Sequence, residues 1–156
     1  MSRFLDCFEA RQMGWNDGRP VWITLTPLRY QSDLLDATIR VLPEFITDAA
    51  STPRIPLAWL IAGGRGFRSA TIHDWAYMRG SWLLDGQGQR EVDKATVDEV
   101  FYESLRADPI SGVGPTVAMM MWLAVRAGGR GIWRDGHRRA RALNPIWTAQ
   151  GWPTLA

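Results

Sequence analysis

Cysteine is nearly absent from this chain of 156 residues. Cys7 stands alone, which excludes an intrachain disulfide framework and any paired-cysteine metal site. Lysine is as scarce, because Lys94 is the one lysine among 18 basic residues and all the others are arginine. Histidine occurs only at 73 and 137, so a search for imidazole chemistry is short. No apolar run reaches the 18 or so residues that a membrane-spanning helix needs. The first residues, Met1 to Cys7, meet Asp6 too early for a secretory signal. Repeats and low-complexity segments are also missing. A net charge of +2 is too small to imply a polyanionic partner. What is abundant is tryptophan, with nine residues, in a chain that is 46% hydrophobic and 22% charged. Such a composition predicts a soluble, globular, single domain over residues 1–156.

The charge is unevenly spread. Residues 1–125 hold 12 basic and 15 acidic side chains, whereas 126–156 hold six Arg against Asp135. Arginine suits planar contacts to carboxylates, phosphates and aromatic faces. The chain therefore divides into a β-rich part (1–44), a motif-bearing helical part (45–129) and an Arg/Trp-rich tail (130–156) expected to wrap the surface through Trp133, Trp147 and Trp152. Strands are expected at Phe8–Met13 and Val21–Leu25 around a Gly-containing turn, and at Ala37–Leu42. Thr24 and Thr26 alternate with Ile23 and Leu25, as in a half-buried strand. Helices are expected at Pro56–Ala62, Phe67–Met78, Arg90–Ala107 and Thr116–Ala127, the last as the most buried element. Asp85–Gln89 reads as a loop. The fold class is α+β: an N-terminal antiparallel β-sheet, then a helical half whose two antiparallel helices carry the candidate site.

Three polar constellations stand out. His73 lies in a helix beside Asp74, and Tyr77 shares its face at i+4. Asp98 lies on the next helix, and antiparallel packing would set it across from His73. A carboxylate that fixes one imidazole nitrogen leaves the other free, facing solvent, to act as a base. Asp74 is then available to a divalent cation. The same spacing equally suits a structural ion pair between helices, and Asp93 is a second candidate for the distal acid. The segment Phe45 to Arg54 is a polar loop in which Asp48 could offer oxygen to a cation, and Ser51 and Arg54 could meet substrate. It also suits a plain strand-to-helix turn. His137 reads as a surface residue.

Phe45-x-Thr47-Asp48-x-x-Ser51-x-Pro53-Arg54, His73-Asp74-x-x-Tyr77 and Lys94-x-x-Val97-Asp98-x-x-Phe101 together resemble domain-of-unknown-function family 1353, small proteins of phages and prophages. Residues 122–129 resemble that family's closing helix. Arg is expected where Lys94 stands and Ala where Val97 stands. The resemblance implies a setting in an infected bacterium, in the cytoplasm or the virion. The His-Asp-x-x-Tyr and Asp-x-x-Phe helices are also similar to those of phospholipase A2. That likeness implies His73 as base, Asp74 as calcium ligand, Asp98 as the acid that orients His73, and Tyr77 as support. The disulfides and the Gly-rich calcium loop of that family have no clear match here.

Two functions follow as expectations. One is a virion- or lysis-associated, metal-assisted hydrolase, acting on a lipid ester or another envelope component. It would use calcium or another divalent cation and no organic cofactor. The other is a non-enzymatic virion component, a tail or baseplate subunit or an assembly factor, that docks on virion proteins through its Trp/Arg-rich surface. Nucleic acid is the weakest partner, because no nucleic-acid motif accompanies the basic tail.

Overall fold

A computed structural model describes residues 1–16, 19–47, 66–110, 112–131, 133 and 148. Within them the fold is α+β and its sheets are antiparallel: six strands come first, then three helices, with the last two strands between the first helix and the second. The strands are β1 (Arg3–Phe4), β2 (Ala10–Asn16), β3 (Arg19–Thr24), β4 (Leu28–Ser32), β5 (Ala37–Val41), β6 (Ile46–Thr47), β7 (Ser81–Leu84) and β8 (Gly88–Glu91). The helices are α1 (Phe67–Arg79), α2 (Lys94–Ala107) and α3 (Pro115–Gly128). One sheet runs in the order β1-β4-β5-β7-β8 and the other β2-β3-β6, with every neighbouring pair antiparallel.

Period-two alternation builds the larger sheet. Leu28, Tyr30 and Ser32 of β4, with Ile39 and Val41 of β5, turn to one face and are buried there. Helix α1 covers that face with Ile72, Trp75 and Ala76, and Trp82 of β7 locks on by donating its indole N–H to the carbonyl of Ile72 at 3.0 Å. A second apolar layer joins the three helices through Ala70, Phe101, Leu105, Ala118, Met121 and Val125. Tyr77 meets Lys94 and Asp98, His73 meets Phe101, and Gly66 meets Leu105, so α1 and α2 run antiparallel as expected.

The structure departs from the local reading in several places. Residues 88–91 form β8, where a loop to Gln89 and a helix from Arg90 are expected, and a hairpin over Asp85–Gln87 joins β7 to β8. Helix α2 begins only at Lys94, because Asp93 caps it by accepting the N–H of Thr96 at 2.7 Å. The segment Leu28–Ser32, unassigned from sequence, is a central strand of the larger sheet. On β3 it is Thr24 that is fully buried while Leu25 beyond it is half exposed. The reason is hydrogen bonding: the Thr24 hydroxyl donates to the Leu42 carbonyl at 3.1 Å and accepts from the Phe45 N–H at 3.0 Å. Nor is α3 the most buried element, since Met119, Met120 and Leu123 are exposed. The expected helix at Pro56–Ala62, and the tail apart from Trp133 and Thr148, lie outside the described residues.

Candidate functional site

Two helices and a strand converge on one buried polar cluster. Helix α1 supplies His73, Asp74 and Tyr77, α2 supplies Lys94 and Asp98, and β6 supplies Thr47. His73 and Tyr77 are one turn apart, and their rings lie 4.0 Å apart between centroids. Phe101 closes the other side of the imidazole at 4.7 Å. Trp133 meets Tyr77 edge-on at 5.0 Å.

Asp98 is the hub. Its Oδ1 accepts the Tyr77 hydroxyl at 2.7 Å, and its Oδ2 accepts Nζ of Lys94 at 2.6 Å. Nε2 of His73 lies 3.5 Å from the same Oδ1, at the outer edge of hydrogen-bond length. The acid expected to grip His73 is therefore held first by Tyr77 and Lys94. Asp93 is settled as a helix cap, which leaves Asp98 as the distal carboxylate. Asp74, whose Oδ1 stands 3.8 Å from Nδ1 of His73, accepts the Thr47 hydroxyl on Oδ2 at 2.5 Å.

Burial decides what this cluster can do. His73 is 2% exposed, Asp74 3% and Asp98 0%. The free edge of the imidazole was expected to face solvent, and it does not. Burial disfavours the imidazolium, but Asp74 and Asp98 outweigh it and raise His73 above its ordinary value. Asp98 shows the mirror case. Burial favours its neutral form, yet His73, Lys94 and Tyr77 together hold it below the usual carboxylate range. The Tyr77 hydroxyl is pushed far upward by burial and by Asp98, so it keeps its proton and donates it to Asp98.

Calcium takes six to eight oxygen ligands. The described residues bring together one carboxylate, Asp74, and one hydroxyl, Thr47, and among them no three His, Cys, Asp or Glu side chains are grouped to hold a metal. Asp48, Ser51 and Arg54 lie outside the described residues, as does His137.

Two participants were missed from sequence. Lys94 stands in the family motif with no role in the site assigned to it, yet its ammonium also donates to the Val125 carbonyl at 2.8 Å and so ties the end of α3 to Asp98. Gly129, just past α3, is the other. A Cβ there would lie 2.5 Å from the Tyr77 hydroxyl and 2.8 Å from Cε of Lys94, so only glycine lets the chain pass this close. No signal in a single sequence distinguishes such a glycine from its neighbour Gly128.

An α+β chain with a buried His–Asp–Lys–Tyr cluster between its first two described helices is thus the class that fold and site define. The chain belongs to the family described as "Protein of unknown function (DUF1353)", whose model matches residues 22–125. That span runs from β3 to the last turn of α3 and takes in every cluster side chain named above. No match was found among curated proteins or among solved structures.

Proposed function

We propose that this is a non-enzymatic phage component, a virion subunit or an assembly factor, in which the His73–Asp98 cluster is a structural clamp. The phage setting comes from the family resemblance. The observation that carries the structural reading is the sealed imidazole. A general base must reach water or substrate, and His73 is 2% exposed. Its two flanking carboxylates stabilise a positive charge on the ring, which suits a fixed ion pair. Lys94 and Tyr77 occupy both oxygens of Asp98, which suits a charge held to fix helices together.

The test pairs melting with chemistry. His73→Asn should lower the melting temperature, the wild-type chain should hydrolyse no ester substrate, and mass spectrometry should find the protein either stoichiometric in purified particles or bound to their precursors. Ester hydrolysis by the wild type that disappears in a His73→Asn chain of unchanged melting temperature would overturn it.

The arrangement of the two imidazole nitrogens favours a second reading, a metal-assisted hydrolase. Nε2 faces Asp98, which also holds Tyr77, as the phospholipase A2 likeness implies for the acid that orients His73, and Asp74 lies beside Nδ1. In that reading Asp74, with Asp48, would bind a divalent cation, and a lipid ester or other envelope component would be the substrate. Its check is a rise in melting temperature with calcium, zinc or manganese that Asp74→Asn abolishes.

A further inference from the structure

Helix α3 has two faces, and the fold uses one. Ala118, Met121, Ala124 and Val125 turn into the helical core. Met119, Met120 and Leu123 stand 47%, 54% and 51% exposed. At 100° per residue these three share a stripe that ends in exposed Arg126 and Arg130. The Trp133 N–H donates to the Gly129 carbonyl at 2.9 Å, so helical winding carries past Gly128 and keeps Arg130 in line. No acidic residue occurs in α3, and from Pro109 onward the sequence has six Arg against Asp135.

We infer that this stripe is an interfacial docking surface for an anionic lipid bilayer. Met119, Met120 and Leu123 enter the boundary between headgroups and acyl chains, and Arg126 and Arg130 meet the lipid phosphates. Charge selects the occupant. The stripe carries only cations, so its partner must bring the negative charge, whereas a second copy of the chain would bring further arginine to the seam. Met and Leu also offer no directional hydrogen bonds, which a fluid bilayer does not require and a specific acidic protein does. The helix lies on the membrane and does not cross it: 14 residues span about 21 Å against a hydrocarbon core of about 30 Å. Among the described residues no helix is long and apolar enough to cross a membrane. This inference stands whether or not His73 is catalytic.

The test is co-sedimentation of the full chain with vesicles of phosphatidylcholine alone or mixed with phosphatidylglycerol. Binding is expected with the anionic vesicles only, falling about tenfold or more at high salt. A Met120→Ser/Leu123→Ser chain should bind about tenfold less while keeping its melting temperature, because both side chains are exposed in the fold. Three outcomes would overturn the inference. The chain sediments with neither vesicle; it sediments equally well with both serines in place, which marks adsorption by charge alone; or light scattering shows a dimer that the serines dissolve and no vesicle binding, which gives the face to a second copy.

Discussion

The ammonium of Lys94 lies 2.6 Å from Oδ2 of Asp98, a carboxylate with no solvent exposure, and the same nitrogen reaches the Val125 carbonyl at 2.8 Å. One lysine therefore neutralises a buried acid and ties α2 to the end of α3. Lys94→Met keeps the stem and removes the charge, leaving Asp98 to face the interior without its cation. The expected cost is about 3 kcal/mol, read from urea unfolding with an unchanged m-value. A loss below about 1 kcal/mol would mean that water substitutes for the ammonium.

Tyr77→Phe removes the other strong donor to Asp98. A hydrogen bond to a charged group contributes about 1.5 to 3 kcal/mol, and the lower end is expected here because His73 stays beside the same oxygen. Combined with Lys94→Met the losses should not add, since both act on one carboxylate. A double-mutant cycle showing additivity would remove Asp98 as the hub.

Gly129→Ala tests close approach without backbone strain, for the φ of Gly129 is −79° and ordinary. The new Cβ would lie 2.5 Å from the Tyr77 hydroxyl and 2.6 Å from the Val125 carbonyl. Overpacking of this kind costs about 1 to 3 kcal/mol. Thermal melts should show Gly129→Ala well below wild type, while Gly131→Ala, where a Cβ meets open space, should not differ.

Acid should weaken the fold through two surface carboxylates. Hydrogen bonds from the Arg29 side chain hold Asp6 below its ordinary value, and the Thr96 backbone N–H does the same for Asp93. A group whose folded value is depressed contributes stability above its unfolded value, about 3.9, and loses it as pH falls through the folded value. His73 acts with the opposite sign, since its raised value contributes stability below about 6.5 that is lost as pH rises. Melting temperature should therefore peak at mildly acidic pH, and Asp6→Asn should show a shallower acid limb than wild type. An unchanged acid limb would dismiss the Asp6–Arg29 pair as a contributor.

The α+β order, the strands near residues 10–24 and 37–41, and the helices ending near 79, 107 and 128 were legible in the sequence because period and punctuation are local. So was the grouping of His73, Tyr77 and Asp98, since i,i+4 spacing and two neighbouring helices leave few alternatives. The hairpin of β7 and β8 was not legible. Gly88–Glu91 is polar and short, and it becomes a strand only because β7 offers it an edge. The inward turn of Thr24 likewise depends on Leu42 and Phe45, residues some twenty positions away.

Residue types and their order thus determined which groups were available for chemistry: a histidine next to one acid with another on the following helix, one lysine, and a helix without acidic residues. Tertiary structure alone decided their state. Whether an imidazole meets water, which of two aspartates caps a helix and which is buried, and which side of an apolar helix stays bare all depend on what packs against them. Desolvation and hydrogen-bond pairing are properties of that packing and are not written in the local sequence.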